Sequence, residues 1–241
     1  MPYEKRTYRA YSASKGLASF TVAVKETDLF ISAAQNLKKE ALAAVVQARY
    51  ILENYIEQNP LFKTSLVPLP NDPFAHPLVQ VMLGAGIACK VGPMASVAGA
   101  VAEFVGTELL KYSDEVIVEN GGDIFFKISR PITVGIFAGD SPLSEKIGIR
   151  ITPSAAPFGI CTSSGTVGPS LSFGTADAVT IRAASAALAD AAASAVGNAV
   201  KTANDIQKAL EIGQKIDKID GMVIIKDEKL GVWGNIELLN I

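Results

Sequence analysis

Histidine is almost absent from this chain: His76 is the single one in 241 residues. Cysteine is nearly as scarce, with only Cys89 and Cys161. So few nitrogen and sulfur donors, placed so far apart, exclude the usual zinc site. Any bound metal is expected to be a hard cation held by oxygens. Two thiols 72 positions apart, without a CxxC spacing, also exclude a disulfide framework. Charge is thin as well. Asp, Glu, Lys and Arg make up 19% of the chain, below the roughly 25% of an average soluble protein. With 22 basic and 24 acidic residues the net charge is −2, so no basic field exists to hold a nucleic acid. Neither a GxGxxG after a strand nor a GxxxxGK[ST] occurs, which leaves Rossmann and P-loop sites unsupported.

Long apolar runs are missing too. The most membrane-like stretch, Pro77–Val105, is interrupted by Lys90 and Glu103 and is rich in Gly and Ala. It reads as buried helices and not as a span of about 20 apolar residues. The opening MPYEKRTYRAY has no apolar h-region, so no signal peptide is expected and the cytoplasm is the expected location. What the chain does have is apolar content, at 49%. That is enough for a large core with a surplus for a subunit interface, so a homo-oligomer is expected.

Short segments of strand type run at Thr7–Ala10 and Leu17–Val24, with Lys15-Gly16 as a turn between them. Glu26-Thr27-Asp28 reads as a polar turn before a strand at Leu29–Ile31. Residues 36–57 place Leu37, Ala41, Ala44, Val45, Ala48, Ile51, Leu52 and Tyr55 at helical steps, and Asn59-Pro60 stops that helix. Five prolines in residues 60–77 predict an irregular loop. His76, inside it, reads as a surface residue. The next helical region breaks at Gly92-Pro93, with a new helix from Met94 to Lys111.

Strands are predicted at Glu115–Val118, Ile124–Ile128, Thr133–Phe137, Ile147–Ile151, Phe158–Cys161 and Ala178–Ile181. Asn120-Gly121-Gly122-Asp123 reads as a tight hairpin, and Thr162–Gly168 as a hydroxyl- and glycine-rich loop. Residues 183–203 hold 11 alanines in 21 positions and predict a helix. A hairpin of Gly221–Ile225 and Leu230–Trp233 closes the chain. Strands in hairpins with helices grouped between them give an α+β class. Without a low-complexity linker, residues 1–241 read as one domain.

Asp190 sits in an otherwise apolar helix, and such a carboxylate is costly to bury uncompensated. Ser194 is four positions on, so carboxylate and hydroxyl share one face. Together they can bind one Mg²⁺ or Ca²⁺; a partly exposed acid near a helix start that complements the helix dipole is the alternative. Gly121 and Gly122 let a ligand approach the backbone, with Asn120 and Asp123 as polar contacts. N–H groups and hydroxyls of Thr162, Ser163, Ser164 and Gly165 can cradle a phosphate. Cys161 enters that loop and reads either as a nucleophilic thiol or as a packed core cysteine.

The order VGPMA at 91–95, ENGGD at 119–123, CTSSG at 161–165 and ADA at 189–191 resembles the ApbE-like superfamily, known for FAD:protein FMN transferases. It is closest to a compact group with VGPMA, ENGGD and CTSSGT. The resemblance implies two T-fold-like halves with a flavin-nucleotide cleft between them. It implies Mg²⁺ ligands at Asp190 and Ser194, and FAD or FMN along Asn120–Asp123 and Thr162–Gly165. Ser96 stands where the transferases carry a lysine, and their histidine-containing stretch after the TSG loop has no counterpart. Three functions follow as expectations: a binder of a flavin or other phosphate-bearing ligand, with transfer chemistry in doubt; a sulfur-handling protein using Cys161, in line with links of the compact group to sulfide assimilation and homocysteine formation; or a non-catalytic subunit.

Overall fold

The computed structural model describes residues 16–167 and 172–241. The strand expected at Thr7–Ala10, the residue Lys15 and the loop residue Gly168 lie outside them.

Among the described residues, eleven strands form two antiparallel sheets. The first half of the chain contributes β1 (Ala18–Val24), β2 (Thr27–Ala33), β3 (Val116–Asn120) and β4 (Asp123–Lys127). The second half contributes β7 (Phe158–Ser163), β8 (Ala178–Ala183), β9 (Ile219–Lys226) and β10 (Lys229–Gly234). These eight make one sheet in the order β1-β2-β3-β4-β7-β8-β9-β10. Each half has two strands, a group of helices, then two strands. The halves join edge to edge where β4 pairs with β7. The α+β class and the two T-fold-like halves expected from sequence are both present.

Between β2 and β3 lie α1 (Lys38–Gln58), α2 (Leu61–Thr64), α3 (Pro77–Cys89) and α4 (Val97–Leu109). Between β8 and β9 lie α5 (Ala186–Asn198) and α6 (Ile206–Gly213). In α1 the buried residues are Ala41, Ala44, Val45, Ala48 and Leu52, the face its periodicity predicts. Lys90, at φ 59, ends α3 in the left-handed conformation. A 3₁₀ turn at Pro93–Ser96 leads into α4, and the two helical segments meet at 105°. No single helix among the described residues is long and apolar enough to cross a membrane.

Strand alternation sorts side chains into two cores. Val116, Val118, Phe125, Cys161, Val179 and Ile181 face the helices. Phe126, Phe158, Ile160, Ala178, Val223 and Ile225 face a small second sheet. That sheet is β5 (Ile132–Gly135), β6 (Ile147–Ile151) and β11 (Glu237–Asn240), in the order β11-β6-β5.

Several expectations shift. Thr27 and Asp28 belong to β2, because Lys25, at φ 52, makes the preceding turn. The proline-rich stretch holds the one-turn α2. His76 is more than a surface residue: its Nδ1 accepts the Leu78 N–H at 3.1 Å and caps α3. The alanine-rich helix is shorter at both ends, because Ala183 is in β8 and Ser185 caps the start by accepting the Leu188 N–H.

Candidate functional site

The site is built at the seam of the two halves. Asn120 and Asp123 are paired across a two-residue hairpin. Its central Gly121 and Gly122 have φ 72 and 116, values that side chains rarely adopt. Strand alternation turns Asn120 and Asp123 toward the helices, like Val118 and Phe125 on the same strands. Asn120 Nδ2 donates to the Ala98 carbonyl at 3.0 Å, which ties the hairpin to the start of α4.

Across the seam Asp123 is in register with Cys161, and the Thr162 N–H donates to the Gly122 carbonyl at 3.2 Å. Asp190 comes down from α5 and is buried, 9% exposed. Its Oδ2 accepts the Gly99 N–H at 2.9 Å, and the nearby Ala98 N–H adds to the pull toward the charged form. These are backbone donors of the first turn of α4 that have no partner within the helix. Asp190 therefore caps a helix of the other half. Gly99 makes room for this: a Cβ there would stand 2.2 Å from the Ala186 carbonyl oxygen.

The electrostatics oppose one another. Burial, then the nearby Asp123 charge, push the Asp190 carboxyl well above the usual carboxylate range, and the two N–H groups pull it back. Two acids facing each other in a buried place attract a proton or a cation.

The three motifs singled out by sequence thus converge. Asn120, Asp123, Cys161 and Asp190 meet; Gly121 is exposed, and Gly122 and Ser194 are half-buried. The hydroxyl segment divides. Thr162 and Ser163 belong to β7 and not to the loop. Thr162 Oγ1 points away from the helices, to Thr180 Oγ1 at 2.9 Å. Ser163 lies on the helix side, 4.0 Å from where a Cβ on Gly197 would sit. Ser164 Oγ accepts the N–H groups of Thr166 and Val167, at 3.1 and 2.9 Å, so it shapes the loop. The Gly165 N–H donates to the Ala176 carbonyl at 2.8 Å, so it is not free to cradle an anion.

Cys161 is corrected toward its bland reading. It is fully buried, and its Sγ donates to the Ala186 carbonyl at 3.2 Å. Burial, then the charges of Asp123 and Asp190, push its thiol well above the ordinary value. Such a sulfur presents no thiolate near neutral pH. Cys89 is likewise buried, with its thiol pushed up to about 12 by burial and by Asp190. Ser96 is also fully buried, and its Oγ donates to the Pro93 carbonyl at 2.7 Å.

Sequence reasoning missed Glu103. On α4, its Oε2 accepts Ser185 Oγ at 2.7 Å and the Ala187 N–H at 3.2 Å, and so secures the start of α5. The only signal was an acid interrupting an apolar helix.

Residues 9–233 match the family model described as AbpE bacteria. The chain belongs to this ApbE-like family. A UPF0280 protein of Methanococcus aeolicus is 41% identical over 216 residues, 88% of this chain and 84% of the relative. One from Methanocaldococcus jannaschii is 40% identical over 221 residues, 89% and 90% of the two chains. Among solved structures, flavin transferase ApbE from Vibrio cholerae, in a mutant form, superposes with a TM-score of 0.58 at 12% identity, over 90% of this chain and 97% of its own. The ApbE protein of Thermotoga maritima gives 0.57 at 12% identity, over 89% and 96%. At that identity the likeness is one of fold. The ApbE-like architecture expected from the four motifs is the one observed.

Proposed function

We propose that this ApbE-like chain binds a phosphate-bearing ligand, a flavin nucleotide such as FAD or FMN, at the rim of the Asp123–Asp190 seam, together with Mg²⁺. One observation carries the reading: Asp123, in register with Cys161 at the β4–β7 seam, and Asp190, held by the Gly99 N–H at 2.9 Å, come from different halves and converge on one place. The fold likeness to flavin transferases supports the choice of ligand class.

The donors suit the metal. Carboxylate oxygens of Asp190 and Asp123 and the Ser194 hydroxyl are hard ligands. Among the described residues no group of three or more His, Cys, Asp or Glu is assembled to hold a metal. The chain would therefore supply a partial shell. That is how Mg²⁺ is commonly held, by one or two carboxylates plus phosphate oxygens. When bound, the ion would offset part of the negative charge of the two acids and the phosphate. Asn120 orients the hairpin toward the start of α4, and Gly121 and Gly122 keep the rim free of side chains. Transfer of the ligand to a protein is left out of the proposal, since the transferases' lysine position is the buried Ser96.

Titration calorimetry with FAD, with and without Mg²⁺, tests it. Binding that depends on Mg²⁺ and weakens at least about tenfold in Asp190→Asn, roughly 1.4 kcal/mol, is expected. Absence of FAD and FMN binding at millimolar Mg²⁺ overturns the reading.

A further inference from the structure

Exposed apolar side chains are unevenly placed on this molecule. On α1, Leu42, Val46 and Tyr50 follow one another at four-residue steps on the outward side, 45, 51 and 69% exposed. Tyr50 forms one wall of an open groove of about 420 Å³ between the second half of α1, the proline-rich loop and the start of α3. Ile51 and Val79 also line it, and so does Phe74, whose ring is 97% exposed. Leu61, 69% exposed, follows two residues after the groove's Asn59. No lysine or arginine lines the groove.

A knob and a hole lie side by side here. Phe74 projects almost wholly into solvent from the lip of a groove with room for an aromatic ring. A surface that carries both a protruding ring and an adjoining recess is complementary to itself when turned by a half-rotation, which is the condition for an isologous contact. A fully exposed aromatic or large aliphatic side chain presents about 150–250 Å². Leu42, Val46, Tyr50, Leu61 and Phe74 together therefore expose on the order of 600 Å², at the upper limit of the largest patch on a typical monomer. With the polar rim of Asn54, Gln58 and Asp72, the patch approaches the roughly 800 Å² per partner of a standard interface.

We propose that a second copy of this chain occupies this surface, with Phe74 of each protomer seated in the groove of its partner and the Leu42–Val46–Tyr50 stripes in contact. None of the residues lining the groove belongs to the Asp123–Asp190 seam.

Light scattering coupled to size-exclusion chromatography of the full chain, from about 1 to 200 μM, tests it. The wild type is expected to run as a dimer, and Phe74→Glu and Val46→Glu as monomers, with unchanged far-UV circular dichroism because both side chains are exposed. Phe137→Glu, an exposed apolar position on another part of the surface, should remain dimeric. A wild type that is monomeric throughout overturns the proposal. So does a dimer that persists in both the Phe74→Glu and the Val46→Glu variants.

Discussion

The Gly99 N–H and the Asp190 carboxylate join the two halves of the molecule at 2.9 Å. The reverse bond is made by Glu103, which lies one turn beyond Gly99 on the same helix and holds the start of α5 through Ser185 and Ala187. Each of the two helices thus caps the other.

Gly99→Ala tests how tight this contact is. The added Cβ would meet the Ala186 carbonyl oxygen at 2.2 Å and Asp190 Cβ at 2.9 Å. Backbone has little freedom to yield, so α4 and α5 must separate. A loss of about 1–3 kcal/mol in urea-unfolding free energy is expected, the usual cost of overpacking.

Substitutions at Asp190 should divide by what they leave behind. Asp190→Ala removes the acceptor of the buried Gly99 N–H and should cost about 1–3 kcal/mol for the unsatisfied donor. Asp190→Asn keeps an accepting oxygen and removes the charge that burial and Asp123 oppose. It should retain most of the stability while losing Mg²⁺-dependent ligand binding. Urea unfolding and calorimetry on the two variants check both halves of this statement.

Glu103→Ala leaves the Ala187 N–H and the Ser185 hydroxyl without their acceptor. A cost of about 0.5–2 kcal/mol is expected, the range for a lost helix cap. Amide exchange should report it first at the start of α5.

Both thiols should resist alkylation in the folded chain near pH 8, and both should react once the chain is unfolded. Rapid modification of native Cys161 would restore the sulfur-carrying reading. The same burial sets a pH dependence. The Cys89 pKa rises in the fold from 9.0 to about 12, so the folded state holds that proton more tightly than the unfolded chain. This contribution is intact below about pH 9 and declines as pH climbs toward 12. Wild-type stability should accordingly fall relative to Cys89→Ala across that window, as measured by denaturant unfolding.

Much of this was readable from local patterns. The face of α1, the break at Gly92-Pro93 and the Gly121-Gly122 hairpin are each fixed by residues within a few positions of one another. The short helix α6 was not read. Its buried residues Ile206, Ala209, Leu210 and Gly213 do recur at helical steps, but over only eight residues. The strand β11 has only four residues and is defined by its pairing with β6. At the site, the family resemblance implied the convergence but not the orientation. Thr162 and Ser163 are adjacent, and pleating alone sends their hydroxyls to opposite faces of the sheet. That Asp190 serves as a cap depends on a partner 91 residues away, which no local pattern encodes.

The seam between β4 and β7 has one more consequence. Because the two repeats are hydrogen-bonded side to side, dividing the chain between them would bare a raw backbone margin in the middle of a wide sheet. Either fragment would then be prone to fibrous self-association.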